Sequence, residues 1–298
     1  MNSAVSYESA TTPICCRRRP ALIARINSFQ WNCVYAALLL FHVVPASSQS
    51  SAAKVPDANP GRPTVATPAT LTPVGYVQFE NGGLYAAGTR GLVAQFSLNQ
   101  VTKLAVASRL ELLTSWEPFA HSSGDDSNQP GGISLGAQAV VSPGEGLRPT
   151  VAASYFHSIY DGAAPDIDIG SAQQSALVLV SLDFRGLHAD VNGIFNEQSD
   201  SGVRRAQFGQ TLSVSHGFGR YTVAGELWHF TQPLTHGNTV GNLWALSYAI
   251  QNNLIVDGGF NRGLTSTSTR WEAFAGFTYL LPRRLWKSRG TAKAAQSE

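Results

Sequence analysis

The chain has 298 residues, 43% of them hydrophobic and only 13% charged, with 28 Gly, 15 Pro and a net charge of +2. An ordinary soluble domain carries about 25% charged residues, so charge is scarce here without a compensating rise in hydrophobicity. No run of about 20 apolar residues marks a spanning helix, 14 Phe, nine Tyr and six Trp argue against disorder, and the near-neutral balance leaves no electrostatic footprint for nucleic acid.

Arg17, Arg18, Arg19 and Arg25 precede an apolar run from about Cys33 to Val44, which ends at Pro45 and the small residues Ala46, Ser47 and Ser48. A basic start, an apolar core of about 12 residues and a small-residue exit predict a secretory signal peptide over 1–48. Cys15, Cys16 and Cys33 all lie within it, so the remaining chain has no disulfide framework, thiolate metal site or cysteine nucleophile. Residues 49–73 are built from Ala, Pro, Thr and Ser, with Pro56, Pro60, Pro63, Pro68 and Pro73. That composition predicts a flexible or extended periplasmic linker.

From 74 to 281 the pattern changes to period-two alternation, the mark of half-buried strands. Twelve strands are expected, at 74–80, 90–98, 101–114, 132–142, 148–159, 174–185, 187–197, 206–216, 220–231, 240–250, 253–262 and 270–281. Several split cleanly by face. Leu187, Ala189, Val191 and Phe195 alternate with His188, Asp190, Asn192 and Asn196, and Leu254, Val256 and Phe260 oppose Asp257 and Asn261. The connections after even strands are expected to be short, at Asn99–Gln100, 142–146, Gly186, 217–219 and 251–252. Those after odd strands are expected to be longer and polar, including 117–131, 161–173, 198–205, 232–239 and 263–269. Short turns at one end and long loops at the other are the habit of an outer-membrane barrel. Its sheet must close on itself because backbone polar groups cannot be left unpaired in hydrocarbon. The expected fold is therefore all-β, a transmembrane antiparallel up-and-down barrel over 74–281 in the outer membrane, with both termini periplasmic and a basic tail over 282–298. Tyr221, Trp244, Tyr248, Trp271 and Tyr279 are candidates for the interfacial aromatic girdles.

If the apolar faces meet lipid, the other faces line a lumen. The candidate lining is Gln78, Glu80, Lys103, Arg109, Glu111, Asp183, Arg185, His188, Asp190, Glu226, Asp257, Asn261 and Glu272, with Gln138 and Asn192 beside them. Residues 74–281 carry ten basic and 16 acidic side chains, a net −6. Both signs share the wall, so no selectivity ring can be assigned by sign. No catalytic set is expected. Ser215 and His216 are neighbours on one strand and point to opposite faces, and His157, His188 and His229 lack metal-ligand spacing. Asp161, Asp166 and Asp168 form a weak calcium candidate in one loop, no cofactor is implied, and solvation is the ordinary fate of such a cluster.

The segments Val74–Gly82, Arg109-Leu110-Glu111-Leu112, Val256–Leu264 and Trp271–Tyr279 resemble the outer-membrane "meta-pathway of phenol degradation" family. The resemblance spans nearly all of 74–281 and implies a barrel that helps small, often aromatic or hydrophobic, molecules across the outer membrane. The chain departs from that pattern by continuing past Tyr279 through Arg283, Arg284, Trp286 and Lys287. Two functions stand: a passive channel for small solutes, or a structural or adhesive barrel with a closed lumen and working surface loops.

Overall fold

The computed structural model describes residues 55–89, 92–123, 128–162, 172–200, 202–234 and 237–286. Twelve strands form it: β1 Val77–Thr89, β2 Leu92–Ala107, β3 Leu110–Ser122, β4 Ile133–Ser142, β5 Thr150–Tyr160, β6 Ala172–Phe184, β7 Leu187–Asp200, β8 Val203–Phe218, β9 Tyr221–Gln232, β10 Gly237–Gln251, β11 Leu254–Gly263 and β12 Trp271–Leu280. Each pairs antiparallel with its sequence neighbours. β1 also pairs with β12, from Gln78↔Leu280 to Ala87↔Trp271, which closes the barrel. Closure satisfies the edge that an open twelve-stranded sheet would leave unpaired.

Strand alternation sorts the side chains. Gln78, Glu80, Lys103, Glu111, Asn192 and Gln207 are buried, while Leu112, Val178, Phe208, Leu227 and Trp244 are exposed. The outside is thus apolar and the inside polar, the reverse of a water-soluble protein. Strands of 10 to 16 residues exceed or match the roughly 9–11 needed to cross a bilayer.

The count of twelve agrees with the sequence pattern, but the first three strands are drawn differently. The turn expected at Asn99–Gln100 is absent. Both residues sit inside β2, paired with Gly82 and Asn81 of β1, and the ladder to β3 slips between Leu98 and Gln100. The first turn of the short-turn rim is Ser108–Arg109, inside the expected third strand. A polar Asn-Gln step imitates a turn, whereas here it marks a bulge. The expected loop 198–205 is likewise strand: β7 and β8 pair out to Asp200↔Val203. The connections β1–β2 and β7–β8 are therefore as tight as those of the opposite rim. The long connections, 123–132 and 161–171, do fall on the rim expected to carry them.

The Ala/Pro/Thr-rich stretch differs most from its reading as a free linker. Residues 55–73 run inside the barrel, without helix or strand, and bond to the wall. Its composition removes donors, because each proline buries a backbone unit that has no N–H to satisfy. The N–H groups of Ala58, Asn59, Gly61, Val65, Ala66, Thr67, Ala69 and Thr72 meet acceptors on the barrel.

Candidate functional site: the lumen and its inner segment

The inner segment enters and leaves by the short-turn rim. At entry Ala58 N–H donates to the Asn252 carbonyl at 2.8 Å and Asn252 Nδ2 donates to Asp57, both at the β10–β11 turn. At exit Gly75 N–H donates to Ala105 O near the end of β2. Between these points it visits the wall in barrel order. Asn59 and Gly61 donate to Gln78 and Glu80 on β1. Arg62 reaches Asp257 on β11 at 3.1 Å. Val65 and Ala66 each donate at 2.7 Å to a separate oxygen of Glu226 on β9. Thr67 exchanges two bonds with the Asn192 amide on β7, Ala69 donates to Ser181 on β6, Gln138 on β4 donates to Pro68 O, and Thr72 closes the lap on Glu111 of β3. Fourteen residues so make nearly a full circuit of the interior. Asn59 and Thr70 meet at its two ends, with Asn59 Nδ2 donating to Thr70 O.

The physical logic is charge and donor balance. The wall presents Glu80, Glu111, Asp190, Glu226 and Asp257 inward, against Lys103 and the imidazole of His188. A carboxylate taken out of water needs a partner or donors. Lys103 supplies one at 2.6 Å from Glu80. The segment supplies the guanidinium of Arg62 and paired backbone N–H groups, which cradle Glu226 as a nest cradles an anion. Apolar contacts add to the seat: Ala69 packs with Ala152 and Leu179, and Val65 packs against the cluster of Ala224, Leu243 and Ala245.

Glycine makes room for the segment. A Cβ at Gly82 would lie 2.2 Å from Arg62 Nη1, and one at Gly276, its partner on β12, 2.7 Å from Arg62 Nη2. The two glycines form a notch in the wall for the guanidinium.

Above the segment, towards the long loops, lie two contiguous cavities of about 480 and 280 Å³. They share Arg62, Val65, Asn99 and Phe230. Trp228, Phe230, Leu243 and Phe274 face the smaller one, and Leu113, Phe156, Leu177 and Ile194 line the larger. Trp228 Nε1 donates to Asn261, whose amide donates to Glu272 at 2.6 Å. The vestibule is therefore polar and aromatic together, a quality the alternation rule missed because it assigned the inward face to polar residues alone.

Of the candidate lining, Gln78, Glu80, Lys103, Glu111, Asp190, Glu226, Asp257 and Asn261 are buried inward, and Glu272 is half-buried on the same face. Arg109 and Arg185 are not lumen residues: each occupies an exposed position in a two-residue turn, where Arg185 adopts a φ of 52°. Their alternation parity was right, but the strand ended first. Asp183 lies at the open rim with its side chain 83% exposed, 2.7 Å from His188, which also reaches Asp190 at 3.2 Å. Asp161 accepts from Ser158 and Gln173, which hold its carboxyl below the usual range. Asp166 and Asp168 lie outside the described residues. Among the described residues no group of three or more potential metal ligands converges. The residues that sequence reasoning missed, Arg62, Val65, Ala66 and Thr72, sit in the presumed linker. The excess of inward acid was the signal that a donor-rich partner was needed.

No protein-family model and no curated protein matches the chain. Among solved structures it is similar to an outer membrane channel from Pseudomonas putida F1, at 14% identity and a TM-score of 0.51 over 76% of this chain and all of that one. It is also similar to the NanC porin, at 11% identity and a TM-score of 0.50 over 68% of this chain and all of that one. At these identities the likeness is one of fold: a closed twelve-stranded antiparallel barrel of the kind found in outer-membrane channels.

Proposed function

We propose that the protein is an outer-membrane barrel that passes small solutes by diffusion, with residues 55–73 acting as the constriction at the short-turn end. The observation that supports this reading most is the division of the lumen: a bonded inner segment at one end and a vestibule of about 480 Å³ towards the other. The apolar outer face suits lipid, and the two structural neighbours above are an outer membrane channel and a porin. The short-turn rim and both termini belong in the periplasm. Residues 1–48 serve as the cleaved signal peptide that directs the chain there.

The finer solute preference follows from the vestibule. Aromatic and aliphatic side chains beside Asn261, Glu272 and Arg62 fit a small molecule with an apolar ring or chain and a polar end. This agrees with the solute class implied by the resemblance to the phenol-degradation family. Purified protein reconstituted into liposomes is expected to speed uptake of small aromatic solutes over sugars of equal size. Neither conductance in planar bilayers nor solute uptake would leave the closed, structural barrel as the correct reading.

A further inference from the structure

The two rims carry opposite charge. Connections on the short-turn rim, with residues 281–286 after β12, contain Arg109, Arg148, Arg185, Arg220, Arg283 and Arg284 against Glu145, while Asp57 and Asp183 are the acids that border them. Those on the long-loop rim contain five aspartates against Arg90 and Arg270. Four of the five short turns hold one arginine each, so the positive charge is spread around the circumference. All six arginines of this rim are exposed, and none makes an ion pair among the described residues.

Their placement relative to the outer apolar surface is equally regular. Arg185 lies over the Phe184 ring at 5.0 Å, Arg284 over Tyr76 at 5.9 Å, and Arg148 donates to Ser142 at 3.1 Å. Exposed Leu110, Leu147, Phe218, Tyr221 and Trp286 stand alongside them. Arginine at the margin of a lipid-facing band keeps its stem on apolar surface and its guanidinium at headgroup depth, where it binds phosphate in two-pronged fashion.

We propose that the short-turn rim is a binding belt for the phosphates of anionic phospholipids, with Arg109, Arg148, Arg185, Arg220 and Arg284 as its donors. Phospholipid is the occupant because the arginines ring the outside of the barrel directly beside side chains that must contact acyl chains. The belt rests on the membrane-barrel part of the reading above and is independent of conduction. A barrel that binds these lipids and does not conduct sinks the channel and leaves the belt.

The test is native mass spectrometry of the full mature chain in detergent with phosphatidylglycerol, phosphatidylcholine and lipid A. Wild type is expected to retain phosphatidylglycerol about tenfold over phosphatidylcholine, several charges acting together. The variant R109Q/R148Q/R185Q/R220Q loses that preference while keeping heat-modifiable migration on gels. The milder pair R148Q/R220Q loses part of it, and R270Q on the opposite rim loses none. Equal retention of both phospholipids by wild type overturns the belt, as does a preference that survives in the quadruple variant. Stronger retention of lipid A through the same arginines would assign the rim to the other leaflet, and displacement by millimolar inorganic phosphate would reduce it to a free-anion site.

Discussion

Gly82 and Arg62 illustrate how little of the inner segment can be inferred from either residue alone. A glycine inside a strand weakens it, and Gly82 lies beyond the expected first strand, 74–80, but inside the observed β1. The structure gives the glycine a purpose, since its missing Cβ leaves space for the guanidinium that neutralises Asp257. Valine suits a strand well, so Gly82→Val is expected to leave the barrel folded while evicting Arg62. Gly82→Val and Arg62→Ala should therefore both loosen the segment and raise single-channel conductance in planar bilayers. The double variant should exceed neither, because both changes remove one interaction. Gly83→Val, on the outward face with only ordinary contacts at 3.4 Å to Phe96, serves as the control and should change nothing. Additive effects of the first pair would show that Gly82 does not hold Arg62.

At the level of elements, the inner segment separates what composition tells from what it does not. The prolines of the inner segment lack the N–H that helix and strand ladders need, and residues 55–73 hold neither element. Freedom does not follow from irregularity, however. Partners for a segment are read from the other side, here the unbalanced acids on β1, β3, β9 and β11, and only a closed barrel brings those strands to one space. The strands themselves were legible wherever one face was uniformly apolar, as in β7 and β11, and misdrawn where a bulge or a long hairpin broke the rhythm, as in β2 and at β7–β8. Deleting residues 55–72 uncovers Glu80, Glu111, Glu226 and Asp257 and also removes Arg62. Rings of carboxylates favour cations. The deletion variant is thus expected to show a larger conductance and, in a potassium chloride gradient, a reversal potential displaced towards that of potassium relative to wild type. An unchanged conductance would mean that the segment is not the constriction.

For the whole molecule, orientation is the property that joins barrel, segment and rims. Even strand number puts both chain ends on the short-turn side, and the segment enters the lumen from that same side. A chain delivered from the periplasm would meet this arrangement naturally, since the long acidic loops must cross the membrane while the segment stays behind to fold in. The sequence makes the orientation easy to test, because all three cysteines precede residue 34 and would leave with the signal peptide proposed above. Single cysteines at Gly146, on the exposed β4–β5 connection, and at Asn128, on the opposite β3–β4 connection, report the two rims separately. In intact cells, a membrane-impermeant maleimide is expected to label Asn128→Cys and to leave Gly146→Cys unlabelled until the outer membrane is opened. The reverse pattern would place the inner segment at the cell surface, turn the arginine-rich rim towards lipopolysaccharide and invert the direction in which the vestibule receives its solute.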